Sequence, residues 1–175
     1  MGADTIQRAA RVRLMLFDVD GVLTDGTLYI GESGELMKAF NVRDGHGLKM
    51  LQASGVEVGL LSSRKSSIVI RRAAELGISL VLQGAIDKLA VYRGLLADRG
   101  LPAERSGYMG DDLMDLDVMS CCGFSAAVPE AAEAVRARAH YVSRAGGGKG
   151  AAREVCDLIL AAQAGCADAP RQRPP

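Results

Sequence analysis

Residues Leu14–Gly26 read LMLFDVDGVLTDG, an apolar run that ends in three carboxylates set among glycines. The apolar run predicts a strand over Leu14–Val19. If strand geometry persists to its end, side chains at i and i+2 share a face, and Asp18 and Asp20 converge. They would stand at the carboxyl end of the strand, where open α/β sheets place their ligands. Gly21 then lets the chain leave sharply. Capping aspartates on a solvated strand-end turn would account for this stretch taken alone, so the rest of the chain has to decide.

Working outward, strand-like and helix-like patterns alternate. Apolar runs at Val56–Ser62, Ser79–Leu82, Ser106–Gly110 and Gly123–Val128 follow the first, and HYVS from His140 is a weaker last strand. They are continuous rather than alternating in polarity, which suits parallel strands covered on both faces. Ile68, Arg72 and Leu76 form a helical stripe stopped by Gly77, and Leu89, Leu95 and Leu96 form another before Gly100. Pro129 is placed to begin a helix over EAAEAVRA, and Ala151 to Ala162 carries the last apolar stripe. The expected fold is α/β, a doubly wound parallel sheet.

The 175 residues suffice for one domain, expected over 11–165 between an N-terminal extension, 1–10, and a polar tail, 166–175. With 21 basic and 21 acidic residues, neither nucleic acid nor an acidic membrane surface is a favoured partner. No apolar run reaches the roughly 18 residues of a membrane span, and the N-terminus lacks the apolar stretch of a secretory signal. Cys121, Cys122, Cys156 and Cys166 form no C-x-x-C pair and read as free thiols. A cytoplasmic protein is the simplest expectation.

A second acidic cluster, GDDLMDLDVM, places Asp111, Asp112 and Asp115 directly after another apolar strand. Asp112 can cap the following helix, but Asp111 and Asp115 are harder to explain that way. If both strands are central, Asp18, Asp20 and Asp111 meet, and clustered carboxylates repel unless a cation or protons intervene. Oxygen-only ligands with room for water point to Mg²⁺. Two further strand ends supply Ser62 with Arg64, and Lys88 at a helix start, where a cation opposes the helix dipole.

The order D-x-D, Ser, Lys, G-D-D resembles the haloacid dehalogenase superfamily of Mg²⁺-dependent phosphatases. FNVRDGHGL and RAGGGKGAAREVCDLIL are similar to its small capless branch that dephosphorylates 3-deoxy-D-manno-octulosonate 8-phosphate, on the route to bacterial lipopolysaccharide. The likeness spans about Arg11 to Ala164. It implies Asp18 as nucleophile, Asp20 as general acid and base, Ser62 as a phosphoryl hydrogen-bond donor and Lys88 as the neutralising cation. It implies Mg²⁺ on Asp18, on the Asp20 backbone carbonyl and on Asp111, with Asp112 and Asp115 behind. For the sugar it implies Asp20, Asn41, Val42, Arg43, Asp44, Gly45, Lys49, Arg64, Arg72 and Lys88, while Arg144 and Lys149 add cations beside a glycine run. The chain departs from the superfamily pattern at Ser62-Ser63, where threonine and glycine are frequent. It also has Lys49 where the branch often has arginine, exchanging a bidentate fork for a point charge.

Between these motifs no stretch is long enough for a cap domain. The segment Val22–Phe40 reads instead as a hairpin with Leu28, Tyr29, Ile30, Leu36, Met37 and Phe40 to bury. A lone hairpin is marginal in water, so a neighbouring subunit is the expected cover, and the branch implies a homotetramer. Three other readings stay open: a phosphatase of a nine-carbon sialic-type sugar acid phosphate, a catalytically silent oligomerising domain, and a receiver-like phospho-switch. The second would be expected to lack Asp18, Asp20 or Lys88. The third gains nothing from a carboxylate two residues after the phosphorylated one.

Overall fold

The computed structural model describes residues 2–167. Six parallel strands form one sheet: β1 (Leu14–Phe17), β4 (Glu57–Ser62), β5 (Leu80–Gln83), β6 (Ser106–Gly110), β7 (Phe124–Ala127) and β8 (Tyr141–Val142). Their order is β5-β4-β1-β6-β7-β8, as a doubly wound fold requires. From β1 the chain first builds outward through β4 to β5, then returns to build β6, β7 and β8 on the other side. Right-handed crossovers put α2 (Val42–Ala53) and α3 (Ser67–Leu76) on one face. The same rule puts α4 (Lys88–Arg99), α5 (Leu116–Cys121) and α6 (Glu133–Arg138) on the other. The switch point therefore lies between β1 and β6, which pair with Phe17 opposite Met109.

The core explains the continuous apolar runs. Leu14, Met15, Leu16 and Phe17 are all fully buried, as are Tyr108, Met109, Phe124 and Ala126, so both faces of the central strands are covered. Gly77 and Gly100 end α3 and α4 in the left-handed conformation expected of C-terminal stops. The last helix, α7 (Ala151–Ala167), packs on α2 and on α1 (Ala3–Arg11).

Residues 3–11, within and just beyond the expected N-terminal extension, form helix α1, with Ala9 buried in the core. Two expectations are corrected. Pro129 does not begin α6, which starts at Glu133, because the Ala132 amide is bonded to the Asp111 carbonyl and holds the intervening turn against the acidic loop. β1 ends at Phe17, short of Val19. Most of the polar tail expected at 166–175 lies outside the described residues.

The hairpin forms β2 (Tyr29–Gly31) and β3 (Gly34–Met37), a separate two-stranded sheet, and the described residues contain no cap domain. Its apolar side chains are not buried within the chain. Leu28, Tyr29, Ile30, Leu36 and Met37 are all exposed, Leu36 by 62%, and only Phe40 packs against the core. No described helix is long and apolar enough to cross a membrane. Cys121, Cys122 and Cys156 are free, the last two buried.

Candidate active site

Because β1 stops at Phe17, Asp18 and Asp20 are brought together by a turn and not by the strand pleat. The amides of Leu23 and Thr24 both reach the Val19 carbonyl, at 2.9 and 3.1 Å, and the Thr24 hydroxyl accepts from the Gly26 amide at 3.2 Å. Gly21 sits in this turn at φ +88°, where a Cβ would stand 2.0 Å from Asp111 Oδ2. Glycine is thus required twice there, for the backbone angle and for the approach of the second acidic loop. Asp18 itself is fastened to β6, its amide donating to the Met109 carbonyl at 2.9 Å.

The result is a cleft of about 230 Å³ at the switch point, lined by Asp18, Asp20, Ser62, Arg64, Lys88, Asp111 and Asp112, with Gly26, Ser63 and Met114. Lys88 begins α4 against the helix dipole because three acceptors hold it. Its ammonium lies 3.0 Å from Asp18 Oδ2, 2.6 Å from Asp115 Oδ1 and 3.2 Å from the Tyr108 hydroxyl. Burial pushes the Lys88 pKa down, but Asp18 and Asp115 outweigh it and the net shift is upward, so Lys88 stays charged.

Asp115 is fully committed. Oδ1 takes Lys88 and Tyr108, and Oδ2 takes the amides of Asp111 and Asp112, at 2.9 and 3.1 Å. With Asp112, which accepts from the Leu113 amide, it closes a capping box, so Asp115 does act partly as a cap.

Carboxylate oxygens of Asp18, Asp111 and Asp115 lie within 4.8 Å of one another. Asp115 has no acceptor capacity to spare, whereas Asp111 Oδ1 is buried with no hydrogen-bond partner among the described residues. Such an atom is costly unless something positive occupies the space before it. Burial first, then Asp18, Asp115 and Asp112, raises the Asp111 pKa to about 7, and burial raises that of Asp18 against the pull of Lys88. The donor set is hard, anionic and oxygen-only, and it fits Mg²⁺ on Asp18 and Asp111.

No protein-family model matches the chain. The 3-deoxy-D-manno-octulosonate 8-phosphate phosphatase KdsC of Yersinia pestis is 49% identical over 160 residues, 91% of this chain and 86% of that one. KdsC of Escherichia coli K12 is 47% identical over 163 residues, 93% of this chain and 87% of its own. The chain belongs to the 3-deoxy-D-manno-octulosonate 8-phosphate phosphatase family. A solved family member, from Moraxella catarrhalis in complex with magnesium, phosphate and KDO, matches with a TM-score of 0.91 at 42% identity, covering 94% of each chain.

Against the reaction of this phosphatase family, the remaining predicted residues fall into two groups. Arg64, 45% exposed, stands beside the cleft carboxylates, its Nε 3.6 Å from Asp20 Oδ2. The Asn41–Gly45 segment and Arg72 do not line the carboxylate cleft of their own chain. Asn41, Asp44, Gly45 and Arg72 line a separate small depression with Phe40, where the Arg72 guanidinium lies 5.8 Å from the Phe40 ring. Asn41 caps α2, and Asp44 is buried with its oxygens on the Gly150 and Arg153 amides at the start of α7. Asp44 is thus already used within the fold. Val42 is 81% exposed, Lys49 is exposed, and Arg43 lies in an open groove with Arg144 and Lys149. The glycine run beside them is no loose loop, since a Cβ on Gly147 would lie 1.9 Å from the Gly21 carbonyl oxygen.

Sequence reasoning missed four residues: Lys38, Glu35, Tyr108 and Met114. Lys38 is bonded to Asp20 and lies 3.0 Å from Glu35, with a side chain only 2% exposed. A signal existed, since Lys38 is the one basic residue between Val22 and Phe40.

Proposed function

We propose that this chain is an Mg²⁺-dependent phosphatase of 3-deoxy-D-manno-octulosonate 8-phosphate, releasing the free sugar acid and phosphate in the cytoplasm on the route to lipopolysaccharide. The observation that carries the reading is the cleft itself: Asp18 against Lys88 at 3.0 Å, beside a buried Asp111 oxygen with no partner. Family membership supports the substrate, and the exposed Arg64 beside the cleft suits a sugar acid.

Asp18 is the nucleophile. Its carboxylate attacks phosphorus as the bond from phosphorus to the sugar oxygen breaks, giving an aspartyl-phosphate and dividing the hydrolysis into two displacements. Asp20 gives its proton to the departing sugar oxygen, then takes one from the water that attacks phosphorus as the bond to Asp18 breaks, which frees phosphate and the Asp18 carboxylate and restores the Asp20 carboxyl. Lys88 neutralises Asp18 and the phosphoryl oxygens, and the Ser62 hydroxyl donates to them; fixed positive charge and donors supply most of the acceleration in phosphoryl transfer. Asp18, Asp111 and the Asp20 backbone carbonyl would hold Mg²⁺, whose charge would screen the anionic nucleophile from the phosphate dianion. Asp115 orients Lys88 and the Asp111 loop through its four hydrogen bonds.

The active species in this reading is a homotetramer. The exposed hairpin supports it, as does the placement of Asn41–Gly45, Lys49 and Arg72 away from the cleft of their own chain. In an assembly the members of this set not already used within the fold, Val42, Arg43, Lys49 and Arg72, serve the sugar end of a neighbour's cleft. The deciding experiment is phosphate release from a panel of eight- and nine-carbon sugar acid phosphates, with Mg²⁺ and with EDTA. EDTA-sensitive release with the highest kcat/KM on the eight-carbon ester is expected; a preference for a nine-carbon ester, or release that ignores EDTA, defeats the assignment.

A further inference from the structure

Asp20 lies in a turn, and no backbone amide holds its carboxylate. Its one hydrogen bond among the described residues comes from the Lys38 ammonium, on Oδ1. Among the described residues Oδ2 has only Arg64 near it, at 3.6 Å, beyond hydrogen-bond reach. The two oxygens are therefore unequal, one fixed and one left for the cleft that Asp20 lines.

Lys38 is unusual in its own right. A lysine side chain 2% exposed is costly unless its charge is met, and here Asp20 and Glu35 meet it. Glu35 is anchored in turn, its Oε2 taking the Ser66 hydroxyl. The backbone of Ser66 is clamped by the Gln83 side chain, which accepts from its amide and donates to its carbonyl at the end of β5. A continuous chain of polar contacts thus runs from the sheet through the hairpin to Asp20. Lys38 itself is absent from the cleft lining, so it reaches the reaction only through Asp20.

We propose that Lys38, delivered by the hairpin and braced by Glu35, is a positioning residue that fixes the Asp20 carboxylate for its two proton transfers. The proposal rests on the function assigned above. With Oδ1 held by the ammonium, the proton leaves and returns on Oδ2. The hairpin then has two duties, one apolar and outward, the other ionic and inward.

A double-mutant cycle tests this with the full-length protein and Mg²⁺, reading kcat and KM for the sugar phosphate in wild type, K38M, D20N and K38M/D20N. In the wild-type background K38M is expected to lower kcat between about 10- and 100-fold with KM little changed, a part of what a positioned acid–base group contributes. In the D20N background the same change is expected to cost less than about 3-fold, since groups acting as a unit are not additive. K38R, which keeps the charge, should recover most of the loss. If K38M does not fold, E35Q is run through the same cycle, with a smaller loss that again vanishes beside D20N. Equal losses in both backgrounds, or a change confined to KM, overturn the role of Lys38. A wild type that releases no phosphate defeats the function itself, so the two failures are distinguishable.

Discussion

Asp115 and Ile30 stand at opposite extremes of this molecule. Asp115 is completely buried, and each of its carboxylate oxygens carries two hydrogen bonds. Ile30 is an apolar side chain left 59% exposed on a three-residue strand. The strand-end cluster is finished within one chain, except where Asp111 Oδ1 waits for a cation. The hairpin is finished only on its inner side, where Lys38 meets both Asp20 and Glu35. A polar group buried without partners and an apolar group exposed without cover are the same kind of signal, each marking where something outside the chain has to come.

The cluster is where single changes should act hardest. Asp18→Asn keeps the shape but removes the attacking charge and a metal ligand, so kcat should fall on the order of 10³-fold or more while the fold persists. Phosphate release checks this, and a variant keeping a tenth of wild-type turnover would remove Asp18 from the nucleophile's role. Lys88→Met should act on stability as well. It leaves Asp18 and the fully buried Asp115 without their shared cation, and breaking a buried pair from one side costs about 3–5 kcal/mol. Denaturant unfolding should show that loss, and a midpoint equal to wild type would mean that Lys88 is not the counter-charge the geometry makes it.

How much of this was legible follows the same division. β1, β4, β6 and β7 announced themselves because strands covered on both faces must be apolar throughout, and the strand-end order of Asp18, Ser62, Lys88 and Asp111 came with them. The Lys38 contact was hidden because it depends on how the hairpin folds back, which no periodicity encodes. Tyr108 was hidden for a different reason: within SGYMG it reads as one more core residue, and only the structure shows its hydroxyl on Asp115. Helix α6 began late because a backbone bond to the Asp111 carbonyl outweighed the preference of Pro129 for a first helical turn.

Metal and pH should act together on the cluster. The Asp111 pKa is raised from 3.8 to about 7 in the folded state, so between those values the folded chain without metal binds more protons than the unfolded one. Stability from this group is then present at low pH and is lost as pH rises through about 7. Mg²⁺ takes the place of the proton, so its stabilisation should grow over the same window. We expect the Tm gain from Mg²⁺ over EDTA to be larger at pH 8 than at pH 5.5. A gain that is equal at both, or larger at pH 5.5, would contradict proton-linked binding at Asp111.

The hairpin should give the smallest change in the isolated chain and a distinct one in the assembly. Leu28 and Ile30 are 45% and 59% exposed, so replacing both with aspartate removes little packing within one subunit. Exposed substitutions of that kind usually shift stability by no more than about 0.5 kcal/mol each. In a tetramer the same carboxylates would be buried against apolar surface without partners, at a cost that disfavours association. The variant should therefore unfold near the wild-type midpoint when both are diluted to monomer, yet run as a smaller species in light scattering at working concentration. Its kcat/KM on the sugar phosphate should fall if, as proposed, Val42, Arg43, Lys49 and Arg72 serve a neighbour's cleft. Activity on p-nitrophenyl phosphate should suffer less, since that small ester needs no second subunit and its leaving group needs little help from Asp20. A wild-type protein that is monomeric at working concentration and fully active on the sugar phosphate would show that the hairpin's outer face has no part in the reaction, leaving only its inner contact with Asp20.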